Sequence, residues 1–194
     1  MIEHEPFIRQ CIALSEQAVC HGDEPFGALL VVDGAVRLTA QNRVVTESDP
    51  CRHAELLLVG EACRTLDPAT VAAATLYTST EPCVMCCGAI YWSRIARVVF
   101  GCSAVQLGVV AGGSLVMPSR EVFGRATRRV EVIGPILEPE ALAVHRGYWP
   151  VRRRGDEVSW GHVRPAVLNR PEGRQWAPRA AHQVTMEVSD GVLH

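Results

Sequence analysis

Lysine is absent from this 194-residue sequence, in which all 19 basic residues are arginine. The absence excludes a Schiff-base lysine, a pyridoxal-phosphate site and a phosphate-binding loop that carries lysine. No apolar run approaches the roughly 18 residues that a membrane span needs. The opening residues Glu3, His4 and Glu5 do not form the basic-then-apolar pattern of a secretory signal. We therefore expect a cytoplasmic protein with no membrane partner.

A large excess of charge is also missing, since the formal net charge at pH 7 is −2. The chain as a whole therefore does not attract nucleic acid electrostatically. Cysteine, in contrast, is plentiful at 8 residues. In a cytoplasmic chain of this length, such cysteines more often bind metal or take part in catalysis than form disulfides.

Apolar runs and helical periodicities alternate along the chain and predict an α/β fold with a layered, mixed sheet. An Asp33-Gly34 pair between two apolar runs indicates a β-hairpin, which makes part of the sheet antiparallel. The predicted strands are 26–32, 35–41, 75–78, 97–101 and 129–133. The predicted helices are 6–20, one beginning at 53, 83–92 and 138–146, and a glycine-containing loop is predicted at 108–117.

The character of the sequence changes after Pro150, where arginines and prolines interrupt any periodicity. Residues 151–194 are therefore predicted to be an extension rather than a second domain. Two interpretations stay open: a loosely held tail, or a strap that packs Trp160 and Trp176 over the body or over a partner subunit.

Two short segments concentrate the reactive side chains: His53-Ala54-Glu55 and Pro82-Cys83-Val84-Met85-Cys86. One imidazole and two thiolates suit zinc, and three protein ligands leave the fourth tetrahedral position for water or hydroxide. His53, Cys83 and Cys86 are thus the predicted ligands of one Zn²⁺ per chain. The alternatives are a redox dithiol, or a closed structural site whose fourth ligand is Cys51, Cys87 or Cys102.

Both segments lie at predicted helix N-termini, where free backbone N–H groups and the helix dipole favour negative charge. The thiols of Cys83 and Cys86 should therefore ionise easily. Glu55 follows His53 by two positions, so in a first helical turn its carboxylate points across the metal toward the water. Glu55 is the predicted catalytic residue, acting as a proton shuttle.

His-x-Glu followed by Pro-Cys-x-x-Cys is a zinc deaminase signature. On these motifs the chain resembles the cytidine deaminase-like superfamily, in its bacterial branch of guanine, cytosine and tRNA adenosine deaminases, over residues 6–150. The resemblance implies a three-layer α/β/α sandwich around a five-stranded mixed sheet, a homodimer, and hydrolytic release of ammonia. It makes residues 1–150 a zinc-dependent deaminase domain and 151–194 its C-terminal extension.

The resemblance also suggests which residues contact the substrate: Phe26, Asn42, Ala54 and Trp92. Asn42 has amide donors and an acceptor for a heterocycle edge, but it can equally make local backbone bonds in a turn. Phe26 matches a position that stacks on the ring in related enzymes, or it packs in the core. Trp92 matches the guanine deaminase form of its helix, or it serves packing alone.

The substrate class stays divided among three hypotheses. We favour a free base or nucleoside, with guanine or another aminopurine ahead of cytosine, although residues 102–120 lack the acidic residue that guanine deaminases carry there. Residues 111–115 instead resemble tRNA adenosine deaminases, while the weak net charge disfavours a tRNA partner. The third hypothesis is an inactive, zinc-stabilised nucleotide-binding module.

Overall fold

The computed structural model describes residues 3–113 and 115–152. Its strands are β1 (Gly27–Val32), β2 (Ala35–Gln41), β3 (Thr75–Thr80), β4 (Arg97–Cys102) and β5 (Glu131–Ile133). They form one five-stranded sheet in the order β2-β1-β3-β4-β5. β1 is antiparallel to both neighbours, whereas β3, β4 and β5 are parallel. The predicted α/β class with a mixed five-stranded sheet is therefore confirmed.

Seven helices are assigned within the described residues: α1 (Glu5–Cys20), α2 (Ala54–Thr65), α3 (Pro68–Ala73), α4 (Val84–Trp92), α5 (Ala104–Ala111), α6 (Ser119–Gly124) and α7 (Glu138–Arg152). None of them is long and apolar enough to cross a membrane. Of the predicted extension 151–194, only residues 151 and 152 are described, and they continue α7; the remainder lies outside the described residues.

The interior strand β1 is buried on both faces of the sheet, and its side chains show what covers each face. Leu29 and Val31 pack in one core with residues of α1 and α7, while Ala28, Leu30 and Val32 pack in the other with residues of α2 and α4. This alternation follows from the two-residue period of a strand. Helices therefore cover both faces of the sheet, which gives three layers.

The hairpin turn adopts the geometry that its sequence predicts. Asp33 and Gly34 have φ values of 51° and 76°, the positive pair that a two-residue hairpin turn requires. The turn fixes β1 beside β2 and leaves β1 free to pair with β3 on its other edge.

The loop predicted at 108–117 is partly wrong, because residues 104–111 form α5. The Ser103 side chain caps this helix by accepting a hydrogen bond from the Gln106 N–H, and Gly112 ends it in a left-handed conformation at φ 72°. Gly108 lies inside the helix and Val116 packs beside it. The short helices α3 and α6 were not predicted, and α7 extends past the predicted end at 146.

Candidate metal centre

Three potential metal ligands converge where α2 and α4 begin. His53 and Cys83 are the residues that precede these helices, and Cys86 lies in the first turn of α4. The His53 Nδ1, Cys83 Sγ and Cys86 Sγ atoms are mutually 3.6 Å apart. Within the described residues, the group suited to hold a metal ion consists of these three side chains.

The triangle of donors fits zinc. Tetrahedral zinc holds sulfur at about 2.3 Å and imidazole nitrogen at about 2.0–2.1 Å, which separates its ligand atoms by about 3.5–3.8 Å. The observed 3.6 Å separations lie within this range. The donor set is also that of a zinc site, with two thiols and one imidazole.

The other cysteines named as alternative ligands have different surroundings. Cys87 is buried and its thiol donates to the Pro82 carbonyl at 3.4 Å, while the Cys102 thiol donates to the Ser103 carbonyl at 3.4 Å. Cys51 is exposed. The described chain thus brings together three ligand side chains, the number predicted for an open site.

The two converging thiols differ in acidity. The hydrogen bond between the two thiols, with a contribution from His53, lowers the pKa of Cys83 to about 4 against the opposing effect of burial. The same bond, together with burial, raises the pKa of Cys86. Cys83 is therefore the more acidic thiol of the pair, and the thiolate is the form that binds metal.

Glu55 lies in the first turn of α2, in contact with this centre. Its side chain is buried, with Oε2 at 3.6 Å from the Cys86 sulfur and Oε1 accepting a hydrogen bond from the Thr78 hydroxyl at 2.9 Å. Burial raises the pKa of the Glu55 carboxyl, although the charge of His53 opposes this effect. A carboxyl group with a raised pKa is suited to accept and return a proton near neutral pH.

A cavity of about 280 Å³ opens onto these groups. His53, Glu55 and Cys83 line it, together with Phe26, whose ring lies parallel to the His53 imidazole at 6.5 Å between centroids. The rest of the described lining is mainly apolar and comes largely from residues 104–113 and 115–117 and from Trp149. An apolar cavity with a few polar groups is typical of a site that binds a small molecule.

Of the four predicted substrate contacts, only Phe26 is among the described residues that line this cavity. Ala54 is buried between His53 and Glu55, and Asn42 is buried with its Oδ1 accepting from the Val44 N–H at 2.9 Å. The Asn42 Nδ2 has no acceptor within the described residues. Trp92 is 80% exposed at the opposite end of α4 from the ligands, so its substrate contact stays a prediction.

Sequence reasoning missed two acidic residues that line the cavity, Glu24 and Glu81. Glu81 joins separate parts of the wall, since its Oε1 accepts from the N–H and hydroxyl of Ser119, each at 2.7 Å, and its Oε2 from the Ala104 N–H at 2.9 Å. The proximity of Glu81 to Cys83 in sequence was the available signal. Its partners lie more than twenty residues away.

A buried histidine that the sequence did not single out supports the Trp149 side of the cavity. The Trp149 indole N–H donates to the His145 Nδ1 at 3.1 Å, so the His145 Nε2 carries the proton and donates to the Thr80 hydroxyl at 2.7 Å. Burial lowers the pKa of His145 to about 4 and keeps it neutral. Phe26 packs against both rings, at 5.2 Å from His145 and 6.4 Å from Trp149.

Comparison with known proteins agrees with this chemistry. The family model of the cytidine and deoxycytidylate deaminase zinc-binding region matches residues 1–102. A probable cytosine deaminase of Schizosaccharomyces pombe is 40% identical over 149 residues, covering 74% of this chain and 90% of the relative. A tRNA-specific adenosine deaminase of Bacillus subtilis is 36% identical over 140 residues, covering 72% of this chain and 84% of the relative.

Solved structures of deaminases are also similar to this chain. The structure of a guanine deaminase from Nitrosomonas europaea matches with a TM-score of 0.69 at 25% identity, covering 77% of this chain and 86% of that one. The sequence similarity thus covers the segments that carry the ligands and Glu55, and the structural similarity covers most of the described chain.

Proposed function

The chain belongs to the cytidine and deoxycytidylate deaminase family of zinc hydrolases that act on C–N bonds, and on this premise we propose that it deaminates a free nucleobase or nucleoside. Guanine or another aminopurine is the favoured substrate, and cytosine is possible. The observation that carries the proposal is the buried Glu55 carboxyl, which contacts the three-ligand centre and lines a largely apolar cavity. We assign the activity to residues 1–150.

His53, Cys83 and Cys86 would hold the zinc ion, which would act as a Lewis acid and make water a better nucleophile at neutral pH. Glu55 performs the proton transfers. Its carboxylate accepts a proton from the attacking water and passes it to the ring nitrogen beside the amine-bearing carbon. The water oxygen bonds to that carbon; Glu55 then takes the remaining O–H proton of the added water and delivers it to the amine, so that the C–N bond breaks, ammonia leaves and a carbonyl forms in its place.

The Thr78 hydroxyl can change its hydrogen-bond acceptor as Glu55 gains or loses a proton. Its hydroxyl oxygen lies 2.9 Å from the Glu55 Oε1 and 3.0 Å from the Thr80 carbonyl oxygen. A hydroxyl has one proton to donate. Thr78 therefore donates to Glu55 when the carboxylate is ionised, and to Thr80 when Glu55 carries the proton. Glu55 therefore keeps a hydrogen bond to Thr78 whether its carboxyl group is ionised or protonated.

A tRNA substrate is the second candidate, favoured by the identity to the Bacillus subtilis enzyme. The described arginines support it less. Arg120 donates to the carbonyls of Val132 and Gly134, and Arg128 donates to those of Ile95 and Tyr91. Arginines held by backbone carbonyls have fewer N–H groups left for phosphate, so we keep the small-molecule substrate first.

The homodimer expected from the resemblance is also a proposal. It is supported by large apolar side chains that are exposed in the single chain, among them Trp92, Val109 and Leu115. A second copy that covers them would remove this apolar surface from water. The molar mass in solution, measured by light scattering, tests this assembly.

The test of the function measures ammonia release by the zinc-loaded protein from guanine, cytosine, adenine, their nucleosides and a tRNA anticodon stem. We expect turnover of at least one free base or nucleoside. Glu55→Gln should bind the same amount of zinc and lose at least about 100-fold in kcat, because general acid–base catalysis contributes about that much or more.

Three outcomes contradict the proposal in different ways. Turnover of the anticodon stem alone makes the protein a tRNA deaminase. No turnover of any compound with zinc bound makes it a nucleotide-binding module. Full activity of Glu55→Gln removes Glu55 from the reaction.

A further inference from the structure

A histidine and a tryptophan one helical turn apart in α7, His145 and Trp149, form a hydrogen-bonded pair beside the cavity. Both are buried, with 1% and 6% of their surfaces exposed, and Trp149 is one of the residues that line the cavity. The Trp149 indole N–H donates to the His145 Nδ1 at 3.1 Å. Tryptophan has no other polar side-chain atom, so Trp149 offers the cavity aromatic carbon and no free hydrogen-bond donor.

The imidazole that holds the indole is itself fixed to the sheet. The His145 Nε2 donates to the hydroxyl of Thr80 at 2.7 Å, and Thr80 is the last residue of β3, the middle strand of the five. Burial lowers the pKa of His145 to about 4. The ring is therefore neutral at pH 7, and its Nδ1 stays available as an acceptor for the indole.

The surroundings of Trp149 belong to the cavity lining. The Phe26 ring lies 6.4 Å from the Trp149 ring. The apolar cluster formed by Tyr148 and Trp149 also contains Leu107 and Ala111 of α5, and these two residues and Phe26 line the cavity. Trp149 thus joins Phe26 to α5 in one apolar surface. Aromatic side chains in such a surface bind heterocyclic bases by stacking, whatever the base.

The pair is separate from the reacting groups. In the described chain, the side-chain hydrogen bonds and ring contacts of His145 and Trp149 are to each other and to Thr80, Phe26 and Tyr148. None of them joins the pair to the candidate ligands or to the carboxyl group that transfers protons. A change in the pair should therefore affect binding of the ring more than the chemical steps.

We propose that Trp149 binds the ring of the substrate through its indole carbons, and that His145 is the residue that positions Trp149. The inference rests on the proposed function and adds to it a surface that holds the base. Contacts that are equally strong in the bound substrate and in the transition state lower KM without raising kcat. Loss of this surface should therefore raise KM.

Steady-state kinetics of the zinc-loaded protein test the two roles, with whichever of guanine, cytosine and adenine the wild type deaminates fastest. Trp149→Ala should raise KM about 5- to 100-fold, the range for stacking of a base on an aromatic side chain. The value of kcat should change by less than about 3-fold. His21→Leu, which removes an exposed histidine beyond α1, is the control and should keep the wild-type KM.

Substitutions of His145 test its positioning role. His145→Leu removes the acceptor of the indole N–H and should raise KM about 3- to 10-fold, as expected for the loss of one hydrogen bond. His145→Asn has an amide oxygen bonded to Cγ, where the imidazole has Nδ1, and should restore most of the affinity. A histidine that only fills space would not be replaced by the smaller, polar asparagine.

A double variant shows whether His145 acts through the indole. Trp149→Phe keeps an aromatic ring but has no N–H to donate. In the Trp149→Phe protein, adding His145→Leu should therefore raise KM no further. Independent contributions of the two side chains would instead multiply their effects on KM.

A binding measurement separates recognition from turnover. The Kd of the same three bases is measured by calorimetry for Glu55→Gln and for Glu55→Gln/Trp149→Ala. The second protein should bind the base more weakly by about the factor seen in KM.

The failures are distinguishable. No ammonia release from any compound by the zinc-loaded wild type overturns the proposed function, and the Kd series then decides the role of Trp149. Unchanged KM and Kd in Trp149→Ala, or a loss confined to kcat, overturn that role and leave the function standing. Multiplying effects of the two residues overturn the positioning role of His145. If His145→Leu does not fold, a wild-type KM in Trp149→Phe overturns it instead.

Discussion

Neighbouring cysteines at the start of α4 differ in the groups that their thiols contact. The thiols of Cys83 and Cys86 face His53, whereas the Cys87 thiol turns to the Pro82 carbonyl and is buried in the core. Burial raises the pKa of Cys87 well above that of a free thiol. One residue along a helix is therefore enough to separate a candidate metal ligand from a core residue.

Cys83→Ser should lower zinc affinity by more than about 100-fold, since even the outer partners of metal ligands contribute about 10- to 100-fold. Cys87→Ser is the matched control, and we expect it to keep its zinc. Metal content after dialysis, determined by mass spectrometry, measures both effects. Equal zinc retention in the two variants would contradict the ligand assignment.

The residues of the site differed in how readily the sequence revealed them. His53, Glu55, Cys83 and Cys86 were predictable because their chemistry depends on spacing within single helical turns. The cavity position of Glu81 depends on contacts with Ala104 and Ser119, which are distant in sequence, whereas Glu24 lies in the turn that leads into β1. A sequence does not show whether an acidic residue faces water or a cavity, so the positions of Glu24 and Glu81 in the cavity lining were not predicted.

At the scale of elements, the contact between α1 and the start of β1 has no room for a side chain at Gly27. A Cβ atom there would lie 2.5 Å from the Leu14 Cβ and 2.6 Å from the Cys11 carbonyl oxygen. Gly27 also donates its N–H to the Ser79 hydroxyl at 3.1 Å. The close approach aligns Phe26 with the cavity.

Gly27→Ala should lower the free energy of unfolding by about 1–3 kcal/mol, because overpacking a fixed contact displaces backbone. Gly60→Ala in α2 is the control: its Cβ would meet no described atom within 4 Å. Alanine there should raise stability by roughly 0.5–1 kcal/mol through helix propensity. Urea denaturation of the two variants measures the contrast, and a similar response in both would show that the contact can relax.

The elements themselves were predictable where local signals agreed. The hairpin at Asp33-Gly34 and the helices after His53 and Cys83 formed as expected. The helix α5 was missed because Gly108 and the pair at 112–113 indicated a loop, although Ser103 and Gly112 are suitable cap residues. Apolar residues of α5 lie both on the side that packs on the cores, at Leu107 and Val110, and on the exposed side, at Val105 and Val109, so its sequence lacks the polar face that marks most surface helices.

For the molecule as a whole, His145 makes stability depend on pH. In the unfolded chain a histidine has a pKa of about 6.5, whereas burial lowers the pKa of His145 to about 4 in the fold. Between these values the unfolded chain takes up a proton that the folded chain does not. The free energy of unfolding should therefore fall as the pH drops through this window, by on the order of 3 kcal/mol in total.

The prediction is tested by urea denaturation of the wild type and His145→Gln at about pH 7 and about pH 4.5, with the same excess of zinc in every sample. The wild type should lose roughly 2 kcal/mol more stability than the variant between these conditions. Equal losses would mean that His145 is protonated in the fold at the lower pH.

The two sides of the cavity come from separate stretches of chain. The candidate metal ligands and Glu55 lie between residues 53 and 86, and much of the remaining described lining comes from residues 104–113 and 115–117, a segment that Glu81 fastens near both ends. Glu81 holds this segment through the backbone N–H groups of Ala104 and Ser119 and through the Ser119 hydroxyl. The side chains between these two anchors can therefore change without loss of the hydrogen bonds. Substitutions in this segment could therefore change which ring the cavity admits without altering His53, Glu55, Cys83 or Cys86.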